Sequence, residues 1–304
     1  MRPSSSTPAE RDASAGRTVA GVVLRERARG AAVIVPVAVA VLAAGQPILG
    51  LALAALAGAG ARETFRLLER AGWPSAPPLG IAVAAAATLL LGLGGSPAWV
   101  LGPGQTSLLL ISLGLGLAAV ASFARTDPRD GVAAWLGTAF GALYLVPLGF
   151  AGQLGDLAPS IPADAPLAWL GGERIWVGLL ILTVWAYDTG AYLIGSRYGR
   201  RRFLGHLSPA KTEAGLLGGL VAATAVAGLG FWGAGQGPLG ALLFGPLVGL
   251  AAQAGDLAES MLKRAAGTKD AGTLLPGHGG VLDRLDSFVV AAPVAALLLA
   301  LLGS

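Results

Sequence analysis

Long apolar runs separated by short polar breaks make up nearly the whole of this chain. A helix needs about 20 mostly apolar residues to cross a hydrocarbon core of roughly 30 Å. Runs of that kind fall at 30–46, 47–64, 77–95, 103–123, 132–153, 174–195, 214–234, 238–257 and 284–302. The first two are broken only around Gly45, Gln46 and Pro47, which predicts a tight helical hairpin. The pattern thus predicts an all-α, polytopic integral membrane protein with about nine transmembrane helices. Residues 1–29 stand apart: polar, Arg-rich and poor in large apolar groups, they read as a disordered basic cytoplasmic tail. The apolar run that follows lies too far from Met1, and is too long, for a cleaved signal peptide, so the first span is expected to stay as an anchor.

Composition sharpens this reading. Of the 304 residues, 54% are hydrophobic and 12% charged, with a mean hydropathy of +0.69. Soluble domains carry about 25% charged residues, so most of this chain is built for lipid. Cysteine is absent, which excludes a disulfide framework and a thiolate metal site. The formal charge is only +4, but its distribution orients the chain. With nine spans and the N-terminus inside, every one of the 21 Lys and Arg except Arg174 falls on the cytoplasmic side. The expected topology is N-in/C-out. The chain divides into the tail at 1–29, an N-terminal transmembrane region at 30–170 and a C-terminal catalytic transmembrane region at 171–304.

Against that apolar background two polar segments stand out, and both face the cytoplasm in this topology. The segment "KRAAGTKDAGTLLPGHGGVLDRLDS" begins at Lys263 and gathers Arg264, Lys269, Asp270, His278, Asp283, Arg284 and Asp286. Asp256 closes the preceding span. Asp283 and Asp286 are three residues apart, as are Asp256 and Glu259, so each pair shares a helix face. If the last two spans are antiparallel, the two pairs meet at one depth. Hard divalent cations favour such oxygen clusters, and Mg²⁺ is commonly held by one or two carboxylates plus substrate phosphates. A single interfacial Asp would be accounted for by solvation and by Arg284. So many acids and cations beside a bilayer are not. Gly279 and Gly280 let backbone approach a ligand closely, although a Gly pair before a helix also makes an ordinary turn.

The second segment holds Asp188, within an otherwise uncharged run, and the loop "RYGRRRF…HLSPAKT". An acid at membrane depth is a candidate functional residue; a hydrogen bond to Tyr187, Thr189 or Tyr192 would also account for it. Ser208, Lys211 and Thr212 offer hydroxyls and an ammonium group suited to a polyphosphate. Arg200, Arg201 and Arg202 are accounted for equally well by the positive-inside bias. Two histidines without cysteine make a zinc site unexpected. No P-loop is present.

Ser260, Lys263, Arg264, Lys269, Asp270, His278, Gly279, Gly280, Asp283, Arg284 and Asp286 stand in the order S-x-x-K-R-x₄-K-D-x₇-H-G-G-x-x-D-R-x-D. That block resembles the signature of the phosphatidate cytidylyltransferase (CDP-diacylglycerol synthase) family. "QAGDLAES", "WAYDTGAYLIGSRYGRRRF" and the early "ARETFRLL" are similar to its other shared blocks. One block departs: where the family shows S-P-K-K-T-x-E-G, this chain reads "SPAKTEAG", keeping Lys211 but with Ala210 for a lysine and Glu213 one place early.

The resemblance implies an enzyme that converts phosphatidate and CTP to CDP-diacylglycerol and pyrophosphate in phospholipid synthesis. It implies Mg²⁺ in a two-cation centre on Asp256, Asp283 and Asp286. Ser208, Lys211, Lys263, Arg264 and Lys269 would hold phosphates, and Asp188 and His278 would belong to the site without an assigned role. It also implies a homodimer in the cytoplasmic (inner) membrane, with its active site facing the cytoplasm and no nucleic-acid partner. The rival readings are a CTP-using enzyme acting on a polyprenol or isoprenoid lipid, and an ion-coupled transporter. The first half of the chain has no acidic counterpart to the 256–286 cluster, which disfavours the transporter. The D-x-x-D-G…G…D-x-x-x-D pattern of enzymes that transfer alcohols onto CDP-diacylglycerol is absent.

Overall fold

The computed structural model describes residues 35–93, 103–205, 207–272 and 279–304. The N-terminal tail, His206 and His278 lie outside the described residues. Ten α-helices can be followed: α1 Val35–Ala44, α2 Ile48–Arg70, α3 Pro77–Gly92, α4 Pro103–Ser122, α5 Pro128–Leu143, α6 Leu154–Leu157, α7 Gly172–Tyr198, α8 Glu213–Gly233, α9 Pro238–Ala265 and α10 Leu282–Gly303. No strand occurs among the described residues; Arg202 and Thr212 form an isolated antiparallel bridge. The protein is all-α and an integral membrane protein. Among the described residues seven helical segments are long and apolar enough to cross a bilayer, against about nine expected from the sequence, while α1 and α3 are shorter apolar helices.

Helix boundaries differ from the sequence reading in two places that matter. The expected span 132–153 is not one α-helix. Regular helix ends at Leu143, and a 3₁₀ segment, Val146–Gln153, continues into the single turn of α6. Pro147 has no N–H to give to the carbonyl of Leu143, so the α-helical ladder is broken there. The other difference is at the end of α9, expected at residue 257 but reaching Ala265. Its last two turns consist of good helix formers, and they place Asp256, Glu259 and Lys263 along one stripe of a continuous helix.

Successive membrane segments run antiparallel, so the molecule has two distinct ends. At one end Leu167 N–H donates to the Gly233 carbonyl at 2.8 Å, and Arg174 donates to the Ala43 carbonyl. An aromatic cluster fills the bundle there. Trp176 meets Phe231 edge-on at 5.2 Å between centroids, and Phe231 meets Phe244 at 5.7 Å. At the other end are the α4–α5, α7–α8 and α9–α10 connections, with the described Lys and Arg other than Arg174. A second core lies under this polar end: Leu67 of α2 with Leu145, Leu148, Ala271, Val281, Leu282 and Leu285. It ties the first half of the chain to the loop before α10.

Apolar burial drives little helix association in lipid, so close packing carries more of the load. Replacing fully buried Trp176 by Ala removes its edge-on contact with Phe231 and leaves a cavity. It is expected to lower stability by roughly 2–3 kcal/mol, measured by reversible unfolding in detergent.

Candidate active site

The polar end of the bundle gathers charge from three helices and two loops. On α9, Lys263 reaches back one turn to Glu259 and across to α10, where its Nζ donates to Asp283 Oδ1 at 2.8 Å. Glu259 has no exposed surface, and its Oε1 accepts no hydrogen bond among the described residues. Asp283 is enclosed further: its Oδ2 accepts the N–H of Gly280 at 2.7 Å and of Ala271 at 3.1 Å. As an acid in the first turn of α10 it also complements the positive end of the helix dipole.

Asp286, one turn further into α10, accepts the N–H of Ser287 at 2.6 Å and has Asp256 and Glu259 as electrostatic neighbours. This approach requires Gly255. A Cβ at that position would run into the Asp286 carbonyl, so only glycine lets α9 come so close to α10 here. Asp256, beside Gly255, is bound by Lys211 Nζ at 2.5 Å. Its other oxygen accepts the Ser260 hydroxyl at 3.4 Å.

Lys211 is aimed by its loop. Phe203 N–H donates to the Lys211 carbonyl at 3.3 Å, Lys211 N–H donates to the Ser208 carbonyl at 3.2 Å, and Thr212 caps α8 through its hydroxyl. The retained lysine of the altered "SPAKTEAG" block is therefore the one that meets the acids. Glu213 follows it as the first residue of α8 and is exposed. Asp188 on α7 is exposed, with Asp286, Asp256 and Lys211 among its electrostatic neighbours. The hydrogen bond considered for Tyr187 goes elsewhere, its hydroxyl donating to Gln253 Oε1 of α9 at 2.9 Å.

Of the residues singled out in the sequence, Asp188, Lys211, Asp256, Lys263, Asp283 and Asp286 thus come together. Ser208 contributes its carbonyl to the loop. Arg264 and Lys269 are exposed beyond the cluster, Arg264 donating to the Thr268 carbonyl at 3.3 Å. Sequence reasoning passed over two acids. Glu259 entered only as the helical partner of Asp256, yet it anchors Lys263. Glu63 lies in "ARETFRLL" among Arg62, Arg66 and Glu69, and so reads as part of a solvated interfacial face. In the folded chain it is 3% exposed, and its carboxylate accepts the N–H of Leu282 at 2.8 Å.

Among the described residues no three His, Cys, Asp or Glu side chains converge as metal ligands. The neighbouring carboxylates of Asp256 and Asp286, with the unengaged Oε1 of Glu259, are nonetheless a hard-oxygen set. Mg²⁺ commonly needs no more than one or two protein carboxylates when phosphates complete its shell, so these residues fit it.

A helical membrane bundle that collects carboxylates and lysines at one end defines a class of protein suited to phosphate esters at the bilayer surface. More narrowly, the chain belongs to the cytidylyltransferase family, whose model matches residues 25–302. It is 46% identical over 138 residues to a phosphatidate cytidylyltransferase of Synechocystis, covering 42% of this chain and 46% of that one. It is 42% identical over 123 residues to a phosphatidate cytidylyltransferase of Bacillus subtilis, covering 40% of this chain and 45% of that one. A longer match, 33% identical over 277 residues, joins it to phosphatidate cytidylyltransferase 4, chloroplastic, of Arabidopsis thaliana, covering 86% of this chain and 69% of that one. The chain thus spans about half the length of the two bacterial relatives.

Lys263→Met leaves two carboxylates without their shared cation. Removing one partner from a buried charge network costs roughly 3–5 kcal/mol, and the double variant Lys263→Met/Glu259→Gln is expected to recover part of it in the same unfolding measurement.

Proposed function

We propose that this protein is a phosphatidate cytidylyltransferase, making CDP-diacylglycerol and pyrophosphate from phosphatidate and CTP. The observation that carries the reading is the meeting of Asp256 and Asp286 from antiparallel helices, flanked by Lys211 and Lys263, at the polar end of a membrane bundle. The printed names of the relatives point the same way. An acid pair at that depth can be reached by a lipid headgroup from the bilayer and by a nucleotide from water.

In this reading a phosphatidate phosphate oxygen attacks the α-phosphorus of CTP. The bond from the α-phosphorus to the bridging oxygen breaks, and pyrophosphate leaves with that electron pair. Catalysis of this kind is mostly positioning and charge neutralisation. Lys211 is held by its loop to exchange its contact with Asp256 for a substrate phosphate. Lys263 keeps an ammonium group beside the reacting phosphates, while Asp283 orders it. Asp256 and Asp286 would hold Mg²⁺, with Glu259 behind them and Asp283 completing the two-cation set. Bound there, Mg²⁺ supplies charge neutralisation to the triphosphate. Asp188 lines the site from α7, Ser208 shapes the Lys211 loop, Arg264 and Lys269 would meet phosphates from its exposed outer edge, and His278 belongs to the site with no role assigned.

The basic end faces the cytoplasm, the orientation is N-in/C-out in the inner membrane, and the protein works as a homodimer. Support for the orientation comes from the basic residues, all but Arg174 of which lie on one side when nine segments cross.

Purified protein in detergent–phosphatidate micelles with radiolabelled CTP and Mg²⁺ is expected to give lipid-extractable label that EDTA abolishes. Asp286→Asn is expected to reduce it at least about a hundredfold, the scale of losing one preorganised charge-stabilising group. Label that forms only with a polyprenol or isoprenoid phosphate would move the substrate; none with any lipid would remove the reading. Orientation is open to a separate test, since the chain has no cysteine of its own. A cysteine introduced by Lys269→Cys should react with an impermeant maleimide in inverted vesicles and not in intact cells.

A further inference from the structure

Glu63 belongs to α2, 219 residues before Leu282, whose N–H its Oε2 accepts at 2.8 Å. The carboxylate is seated among loop backbone. A Cβ on Gly272 would strike Glu63 Oε1, and a Cβ on Gly280 would strike Glu63 Oε2. Glycine at both places is what lets their backbone come so close to it. The N-cap position of α10 is Val281, which supplies no side-chain cap, so Glu63 satisfies one of the first free N–H groups of that helix from another part of the chain. Asp283 follows Leu282 directly, and it binds Lys263, Gly280 and Ala271. Gly280 therefore touches both carboxylates, Glu63 by close approach and Asp283 by hydrogen bond. Burying a carboxylate to the extent seen in Glu63 is costly unless it is used, and its hydrogen bond to Leu282 and its close approaches to Gly272 and Gly280 go to the segment that carries the site.

We infer that Glu63 is a positioning residue for the reaction proposed above: it clamps the loop at Gly272, Gly280 and Leu282, and so sets where Asp283, Lys263 and Asp286 stand. It touches no substrate. Its influence passes through the Leu282 amide and the two glycines to the charged groups, and α2 thereby becomes part of the site's frame.

Glu63→Leu keeps the volume and removes the acceptor, whereas Glu63→Gln keeps an oxygen that can accept from Leu282. Amide hydrogen exchange of residues 279–285 in the Leu variant is expected to rise about tenfold or more, the scale of losing a buried acceptor, with exchange in the α7–α8 hairpin unchanged. The KM for CTP is expected to rise with it while the KM for phosphatidate stays near the wild-type value, and Glu63→Gln should restore most of both. Gly280→Ala drives a methyl group against the carboxylate and should show the same local signature, which keeps the test open if Glu63→Leu does not fold. Wild-type exchange at 279–285 in both Glu63→Leu and Gly280→Ala would overturn the inference. So would a uniform rise in exchange across the bundle. Absence of turnover in the wild-type protein would count against the reaction alone, because the exchange measurement needs no substrate.

Discussion

Lys263 binds two carboxylates at once, Glu259 on its own helix and Asp283 on the next, and the polar end of the bundle is organised around that ammonium group. In water such a bridge would contribute little. At the boundary of a hydrocarbon layer the balance changes, since each member left alone carries a desolvation penalty of several kcal/mol. The register of α9 against α10 is consequently set by charge. Gly255 supplies the close approach that makes this possible, and the acids at Asp256 and Asp286 become neighbours as a result.

A cluster with an excess of carboxylates over ammonium groups is poised to take up more positive charge or to exchange a lysine for a phosphate. In the proposed reaction Lys211 is the residue for such exchange. It comes from a loop of its own, braced by a short antiparallel contact, and its partner Asp256 remains partly open to the surroundings. Lys263 is enclosed on both sides and serves better as a fixed positive charge. The same acid–lysine chemistry thus has a rigid half on α9 and α10 and an adjustable half on the α7–α8 connection.

Much of the candidate cluster was legible in the residue order because charge has so few reasons to occur in a membrane segment. Asp188, Lys211, Asp256, Lys263, Asp283 and Asp286 announce themselves against an apolar background, and helical spacing already pairs Asp256 with Glu259 and Asp283 with Asp286. Arg264 and Lys269 carry the same charge in the same stretch yet are exposed beyond the cluster, Arg264 because it follows Lys263 onto another face of α9 and Lys269 because it lies past the end of that helix. Glu63 was illegible for the opposite reason. It sits among arginines at a helix end, where a solvated acid is ordinary, and only its burial against the backbone of Gly272, Gly280 and Leu282 distinguishes it.

Residue order by itself determined the class of architecture, the helical segments and the residue types available for chemistry, since hydrophobic length and charge asymmetry act locally along the chain. It also supplied the blocks by which the family is recognised. Tertiary structure alone decided that α9 continues as one helix past Asp256 to Lys263, that the second part of an expected span, after Leu143, winds as a 3₁₀ segment at Pro147, and that Asp283 is closed in by backbone N–H groups while Asp286 stays beside Asp256. It also decided that a glutamate of α2 caps a helix more than two hundred residues away. Such outcomes depend on which backbones can approach closely enough for a buried carboxylate to find its donors, and that is a property of packed helices in three dimensions.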